Sequence, residues 1–335
     1  MLNPSDTPSK PSAHCTRRAL LVVAIAIAGT GMCPAFAQGQ ESYPTKPIKV
    51  VLGFSAGGGT DAVARAIGRH MGDTLGTSVV IDNKPGANGN IAGELVAKSP
   101  PDGYTVLYNT SSIASSPALY GDKLKYDVLR DLTPIGRATS LPMVLLVGAN
   151  SQFRTVEELV SFMRANPGKV DYASGGNGNV THLSALAFEA ATGTRGLHVP
   201  YKGEGPAIAD LMAGHVQFYF ATSAGAIPAV TSGRVRGLAV ATSTRLKTLP
   251  DVPTLRESIG KDVEMSAWSG MMAPAGTPTA VIEKLNRALN AALNDPQLQT
   301  FFAGQSALTS STTPAEYAAF LKREVTDLGN VIRER

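Results

Sequence analysis

The alternation of short apolar runs with longer helical patterns constrains this chain more than any other feature of its sequence. From residue 48 onward, runs of about five β-type residues alternate with segments whose apolar residues recur every three or four positions. Val63, Ile67 and Met71, for example, form one stripe of a helix that follows the run 48–52. Strands and helices that alternate through short Gly and Pro turns predict mostly parallel sheets covered on both faces. The predicted fold class is therefore α/β.

The predicted elements extend from residue 48 almost to the end of the chain. Strands are expected at 48–52, 78–81, 105–108, 143–147, 170–173, 218–220 and 237–241. Helices are expected from residue 60 and at 91–97, 156–165, 182–192, 206–213, 278–293 and 314–333. The 335 residues are enough for about two domains.

The beginning of the chain predicts export. An apolar run at 19–29 follows Arg17 and Arg18, and it is too short to cross a bilayer, which takes about 20 residues. Ala35-Phe36-Ala37 then has the small-x-small pattern of a signal-peptidase site. We therefore expect a signal peptide at 1–37, cut after Ala37, and a periplasmic protein. General secretion is favoured over twin-arginine export, because the aromatic residue that usually flanks a twin arginine is absent.

The composition excludes several classes of protein. Cys15 and Cys33 both precede the expected cleavage point, so the mature chain should have no disulfide and no cysteine metal site. The 30 Lys and Arg against 26 Asp and Glu give a net charge of +4, without the basic clusters of a nucleic-acid-binding protein. The sequence has no nucleotide-binding glycine motif and no His–carboxylate cluster with metal-ligand spacing. We expect no cofactor, no metal and no nucleic acid partner.

Two glycine-rich loops, 53–60 and 174–179, each join a strand to a helix. Residues that cap helices well end both loops: Thr60 and Asp61 in the first, Asn179 and Thr181 in the second. The main-chain N–H groups at the start of a helix bind anions, because they lie at the positive end of the helix dipole. One such loop in each half of the chain predicts two lobes that close on an anionic ligand.

Residues 53–57 also match G-x-S-x-G, the nucleophile elbow of serine hydrolases, which would make Ser55 a nucleophile. This elbow follows the first strand of the mature chain, whereas the hydrolase fold places it after several strands. The sequence has no HGGG-type oxyanion segment, and its histidines are scattered. A serine hydrolase is therefore the alternative to a binding protein.

Several residues have two interpretations. Asp61 is either a first-turn acid that complements the helix dipole or an acceptor for a polar group of the ligand. His182 is either a first-turn residue of its helix or part of the ligand site. Trp268, the only tryptophan, stacks on the ligand or packs in the core. Tyr219 and Phe220 either line the ligand site or fill the core.

Eight segments occur in a fixed order along the chain: 43–48 (YPTKPI), 54–61 (FSAGGGTD), 83–87 (NKPGA), 101–105 (PDGYT), 172–178 followed by His182-Leu183, 199–203 (VPYKG), 249–254 (LPDVPT) and 273–278 (APAGTP). Together they resemble the Bug-type periplasmic substrate-binding proteins of tripartite tricarboxylate transporters, over almost the whole mature chain. The sequence departs from the family pattern at Asn179, where Ser is usual, and at Leu328, where Trp is common.

The resemblance implies a type II periplasmic binding-protein fold, with two α/β lobes joined by crossing strands near 141–147 and 268–273. Lobe 1 would comprise 38–142 and 269–335, and lobe 2 would comprise 143–268. The resemblance also implies that main-chain amides, small hydroxyl groups and bridging waters hold the carboxylates of the ligand. The contacts that it assigns are Ser55, Ala56, Gly58, Thr60, Asp61, Thr110, Ser111, Ser174, Gly175, Asn177, Asn179 and His182.

The function implied is that of a monomeric, non-enzymatic receptor that captures a small organic carboxylate and delivers it to a membrane permease. Mono-, di- and tricarboxylates and acidic amino acids all remain open as ligands, because amide-lined sites recognise the carboxylate and not its scaffold. A receptor that serves a sensor kinase instead of a permease is a further alternative.

Overall fold

A mixed sheet of ten strands forms the centre of the protein. The computed structural model describes residues 43–333, with side chains through residue 329, so the expected signal peptide and both cysteines lie outside it. The described strands are β1 Ile48–Leu52, β2 Val79–Asn83, β3 Thr105–Thr110, β4 Leu132–Gly148, β5 Asp171–Ser174, β6 Leu197–Pro200, β7 Phe218–Thr222, β8 Val235–Val240, β9 Ser266–Pro274 and β10 Leu308–Thr309. The described α-helices are α1 Gly59–Leu75, α2 Asn90–Ala97, α3 Ser112–Tyr120, α4 Val156–Ala165, α5 Val180–Thr192, α6 Glu204–Ala213, α7 Ser223–Thr231, α8 Leu255–Ile259, α9 Thr279–Leu293, α10 Pro296–Gly304 and α11 Pro314–Arg333.

The sheet has two parallel parts joined by antiparallel strands. The strand order is β2-β1-β3-β9-β4-β7-β5-β6, and β8 and β10 also pair with β4. The strand β1 is parallel to β2 and β3, and β5 is parallel to β6 and β7. In contrast, β9 is antiparallel to β3 and β4, and β4 is antiparallel to β7 and β8. The α/β class is confirmed, and the mostly parallel pairing holds in the two outer parts.

The long strand β4 belongs to both parts of the sheet. Its first portion, Leu132 to Pro142, pairs with β9, and its second portion, Met143 to Val147, pairs with β7. The strand therefore passes from one part of the sheet to the other between Pro142 and Met143. The crossing strands expected near 141–147 and 268–273 lie within β4 and β9.

The helices bury their predicted apolar stripes. In α1, Val63, Ile67 and Met71 are each at most 1% exposed, and in α9 Leu285 and Leu289 are fully buried. The two helices pack against the same core cluster. No helix among residues 43–333 is long and apolar enough to cross a bilayer.

Two helix starts differ from the prediction. The N-cap of α1 is Gly58, which has no side chain to cap the helix, so Thr60 and Asp61 lie inside the first turn instead of capping it. The helix α6 begins at Glu204 instead of Pro206, after Gly203 with φ 131°. The conformation of Gly203 favours glycine, whereas Gly58 is extended, with φ −87°. Asn179 is the N-cap of α5, as predicted, and its side chain accepts from the Thr181 amide at 3.0 Å.

Close backbone packing at Gly53 generates a stability prediction. A Cβ at Gly53 would lie 2.5 Å from the Gly89 Cα atom, so the loop after β1 touches the loop before α2. We expect Gly53→Ala to lower the free energy of unfolding by about 1–3 kcal/mol, because two backbones must separate. Urea unfolding of the wild-type protein and the variant measures this difference in free energy. Gly304→Ala is the control, because a Cβ there meets nothing within 4 Å. Equal stability of the two variants would contradict the packing described.

Candidate functional site

The candidate site lies where several strands end. The first glycine loop follows β1 and the second follows β5, while Thr110 and Thr222 end β3 and β7. In open α/β sheets, ligands bind in the crevice outside the carboxyl ends of the strands. The ends of these four strands contribute to one cavity of about 30 Å³, which has room for about two water molecules. Its lining residues are Phe54, Ser55, Gly58, Thr60, Asp61, Thr110, Gly175, Asn179, Val180, Thr181, Gly203, Glu204, Tyr219, Thr222 and Ala267.

A second, smaller cavity of about 10 Å³ adjoins the first, and Phe54 and Thr110 line both. We call them the first and the second cavity. The second is lined by residues around the start of α2, the end of β3 and the start of α3: Asn88, Gly89, Asn90, Leu107, Tyr108, Asn109, Ser112 and Ile113, with Gly53 and Tyr126.

The structure brings together most of the contacts expected from the sequence. Those that line the first cavity are Ser55, Gly58, Thr60, Asp61, Thr110, Gly175 and Asn179. The others do not line either cavity. Ala56 and Asn177 are exposed, Ser111 and Ser174 are buried, and His182 is half-buried.

The carboxylate of Asp61 is fully engaged within its own part of the protein. One oxygen accepts from the Gly57 amide at 3.1 Å and from Arg65 Nε at 2.9 Å, and the other accepts from Asn83 Nδ2 at 2.9 Å. Burial alone would raise the pKa of Asp61, but the hydrogen bonds from Arg65, Asn83 and Gly57 lower it. Asp61 therefore fixes the first glycine loop as an ionised group with its hydrogen-bonding capacity largely used.

Ser174 and the histidines near it form a packed stack behind the second glycine loop. A hydrogen bond of 2.6 Å joins Ser174 Oγ and His198 Nε2, and the His182 ring lies on the His198 ring with 3.8 Å between centroids. The ring of Tyr172 stacks on both. Burial lowers the pKa of His198, which favours the neutral imidazole. Ser174 itself is fully buried and also accepts from the Gly176 amide, so this Ser–His pair holds the loop in place.

The predicted nucleophile Ser55 has no histidine among its contacts in the described chain. Its hydroxyl donates to the Lys202 carbonyl at 3.0 Å, and its amide donates to the same carbonyl at 3.1 Å. Ser55 thus joins the first glycine loop to the loop before α6. Trp268 packs edge-on against Tyr317 and Phe320 and donates from its indole nitrogen to a side chain of α11, outside the cavities.

Glu204 is a site residue that the sequence did not reveal. Its carboxyl group accepts from the Thr222 amide at 3.1 Å and from the Thr222 hydroxyl at 2.8 Å, at the start of α7. It also accepts from the Gly59 amide at the start of α1, so it supplies the cap that Gly58 lacks. Burial raises the pKa of Glu204 to about 7, against the opposing effect of these hydrogen bonds.

Asn88 and Asn90 are also missing from the predicted contacts. Both are at least nine-tenths buried, and neither Nδ2 atom has an acceptor among the described residues. Their oxygens are occupied: Asn88 Oδ1 accepts from Asn179 Nδ2 at 3.3 Å, and Asn90 Oδ1 accepts from the Tyr126 hydroxyl at 3.0 Å. Buried donors without an acceptor are rare in folded proteins. Both residues line the second cavity, so these amides are available to a bound acceptor.

The cavities contain donors but no cationic side chain. None of their lining residues is Lys, Arg or His. In the described part of the chain, no group of three or more His, Cys, Asp or Glu residues could hold a metal ion. The arrangement therefore suits an anion held by neutral hydrogen-bond donors.

The family model described as the tripartite tricarboxylate transporter family receptor matches residues 63–335. The chain belongs to this family. This match, together with the similarity to the periplasmic binding protein BugD given below, confirms the Bug-type resemblance.

Three solved structures are similar over nearly their whole length. The periplasmic binding protein BugD is 34% identical, with a TM-score of 0.83 over 87% of this chain and 98% of its own. MatC from Rhodopseudomonas palustris with bound malate is 31% identical, with a TM-score of 0.81 over 87% and 100%. R. palustris Rpa4515 with adipate is 32% identical, with a TM-score of 0.82 over 87% and 97%. These similarities confirm the periplasmic binding-protein fold.

The hydrogen bonds of Asp61 generate a pH-dependent prediction. We expect Asp61→Asn to lower the free energy of unfolding at pH 7 by about 2 kcal/mol, because three donors lose an ionised acceptor. The pKa of Asp61 is lowered in the folded protein, so its contribution is fully present above the ordinary value of 3.8 and is lost as the pH falls through the lower pKa of the folded state. Wild type and variant should therefore converge in acid.

The control is Asp73→Asn, an exposed acid on the same helix, which should change the free energy of unfolding by less than about 0.5 kcal/mol. Urea titrations at pH 7 and at about pH 2.5 measure the free energy of unfolding of both variants. A loss at Asp61 that is equally large at both pH values would contradict the role of the ionised group.

Proposed function

We propose that this protein is a solute receptor that binds a small organic carboxylate in the two cavities. The unpaired Nδ2 donors of Asn88 and Asn90 are the observation that carries the proposal. A carboxylate oxygen is the acceptor that such donors lack, and hydrogen bonds to a charged acceptor contribute about 1.5–3 kcal/mol each. The malate and adipate bound by two related proteins are both dicarboxylates. A dicarboxylate is therefore the proposed ligand class.

Binding requires the two parts of the protein to separate, because the cavities hold only about 30 and 10 Å³. Across the cleft, polar contacts join the loops at the strand ends, and the start of α1 packs against the start of α7. Besides the Ser55–Lys202 pair, Asn179 donates to Asn88 and Ser115 Oγ donates to the Gly178 carbonyl at 3.0 Å. We propose that residues 38–142 with 269–335 and residues 143–268 are lobes that open about β4 and the segment before β9.

The protein is proposed to bind its ligand without transforming it. A serine nucleophile needs a base within hydrogen-bond reach. The Ser55 hydroxyl donates to a main-chain carbonyl, and Ser174, which is hydrogen-bonded to a ring nitrogen of His198, is fully buried. These contacts favour a receptor over the serine hydrolase.

The proposed location and partner follow from the family. The expected signal peptide at 1–37 and the periplasmic relatives support export to the periplasm. A monomer that closes on its ligand would then deliver it to the membrane permease of a tripartite tricarboxylate transporter. The sensor-kinase alternative has no specific observation in its favour.

Isothermal titration with malate, succinate, adipate and the neutral analogue succinamide tests the proposal. We expect at least one of the acids to bind and the diamide not to bind. Asn90→Asp should weaken the binding of that acid at least tenfold, because a carboxylate replaces an amide donor in the cavity and keeps the acceptor for Tyr126. The melting temperature of the variant without ligand should fall, because the new carboxyl group is buried without a cation, and circular dichroism at the assay temperature checks that the variant is folded.

Asn177→Asp is the matched control, because Asn177 is exposed and lines neither cavity. Its dissociation constant should stay within threefold of the wild-type value. If no acid binds, or if Asn90→Asp binds as tightly as wild type, the proposed ligand class is wrong. Consumption of an ester such as methyl succinate would instead support the hydrolase.

A further inference from the structure

The carboxyl group of Glu204 lies in the wall of the first cavity, in which the carboxylate ligand is proposed to bind. Glu204 is 7% exposed and lines the first cavity. Its oxygens lie against the start of α7, where a Cβ at Gly225 would be 1.3 Å from Oε1. The carboxyl group is thus enclosed between the first turns of α1 and α7, with Thr222 and Gly59 as its hydrogen-bond donors.

None of the described groups that face Glu204 is a cation that pairs with its carboxylate. From α1 comes Asp61, whose charge is matched by Arg65 at 2.9 Å. From β7 comes Tyr219, a fully buried phenol whose pKa burial and the nearby Glu204 raise. The helix α7 contributes no titratable side chain. From the second glycine loop and α5, the nearest titratable group is His182, which lines neither cavity.

Lys202 and Asp210 are the remaining charged residues close in sequence, and neither lines a cavity. Lys202 is exposed. Asp210 accepts from the Tyr201 hydroxyl at 2.6 Å and pairs with His215 at the far end of α6. A ligand carboxylate in the first cavity would therefore meet Glu204 across a small space that no cationic side chain lines. Two carboxylates that share such a site do not both stay ionised.

We propose that Glu204 takes up a proton when the ligand binds, so that this receptor captures a carboxylate together with one proton. The inference rests on the proposed function and deepens it. The hydrogen bonds already present accommodate the protonated acid: one oxygen keeps the Thr222 amide, and the other, 3.2 Å from Thr222 Oγ1, donates to that hydroxyl. The proton comes from the solvent and returns to it when the ligand leaves.

Proton-linked binding has a defined pH dependence. The unliganded Glu204, with its pKa raised to about 7, is mostly ionised at pH 8 and mostly protonated at pH 6. Uptake on binding should therefore approach one proton at pH 8 and fall toward zero at pH 6. The dissociation constant should rise toward tenfold per pH unit above pH 7.

The experiment is calorimetric titration of the protein with adipate or succinate at pH 6 and pH 8. Each titration is repeated in two buffers of different ionisation enthalpy, which gives the number of protons taken up. Neither acid carries an amine or a hydroxyl that could donate to an ionised Glu204. We expect Glu204→Gln to show no uptake and to bind with the same affinity at both pH values, because a carboxamide resembles the protonated acid.

Asp210→Asn is the matched control, because it removes the exposed carboxyl group of the same helix and should keep the wild-type uptake. Binding to wild type without proton uptake at pH 8 would overturn this inference and leave the proposed function intact. Uptake that persists in Glu204→Gln would also overturn it, as would a folded Glu204→Gln that no longer binds. If wild type binds neither acid nor malate at either pH, the proposed function fails and this inference fails with it. If Glu204→Gln does not fold, the number of protons that the wild-type protein takes up at pH 8 still tests the inference.

Discussion

The pairing of β4 with β9 on one side and with β7 on the other is the interaction on which the rest of the structure depends. Met143, Val144 and Leu145, just after the passage between the two parts, are fully buried. Each part of the sheet is an ordinary parallel α/β unit whose strands end in loops. Those loops form one site only because a single strand, aided by β9, fixes both units in one register.

Much of the fold could be predicted from local sequence, and the exceptions have physical causes. The strands β1 and β5 and the helices α1 and α9 carry apolar patterns that identify them without reference to the rest of the chain. The first portion of β4 contains Thr, Pro, Gly and Arg, so its extended form comes from pairing with β9. The helices α3 and α7 are rich in Ser and Ala and each contains a proline, Pro117 or Pro228. Their buried surroundings hold them helical in spite of weak local signals.

The sequence predicts those residues of the candidate site that belong to the glycine loops. It does not predict the residues that only long-range packing brings to the site. The glycine loops predict helix N-termini, and six of their residues line the first cavity. Glu204 follows a glycine in a segment that suggests a loop, and its partners Thr222 and Gly59 are 18 and 145 positions away. Asn88 and Asn90 belong to a turn-rich segment, and only the fold shows that both amides are buried without an acceptor. A spacing rule cannot identify such residues.

A crystal structure of the protein with adipate tests the central claim most directly, since it locates the carboxylate relative to the donors. The account predicts one carboxylate of adipate about 3 Å from Nδ2 of Asn88 or Asn90, with the other end of the ligand beside Thr222 and Glu204. The parts of the sheet joined by β4 should then be displaced from the positions described, with each part unchanged in itself. A ligand bound outside the two cavities, or one held by a Lys or Arg side chain, would contradict the account.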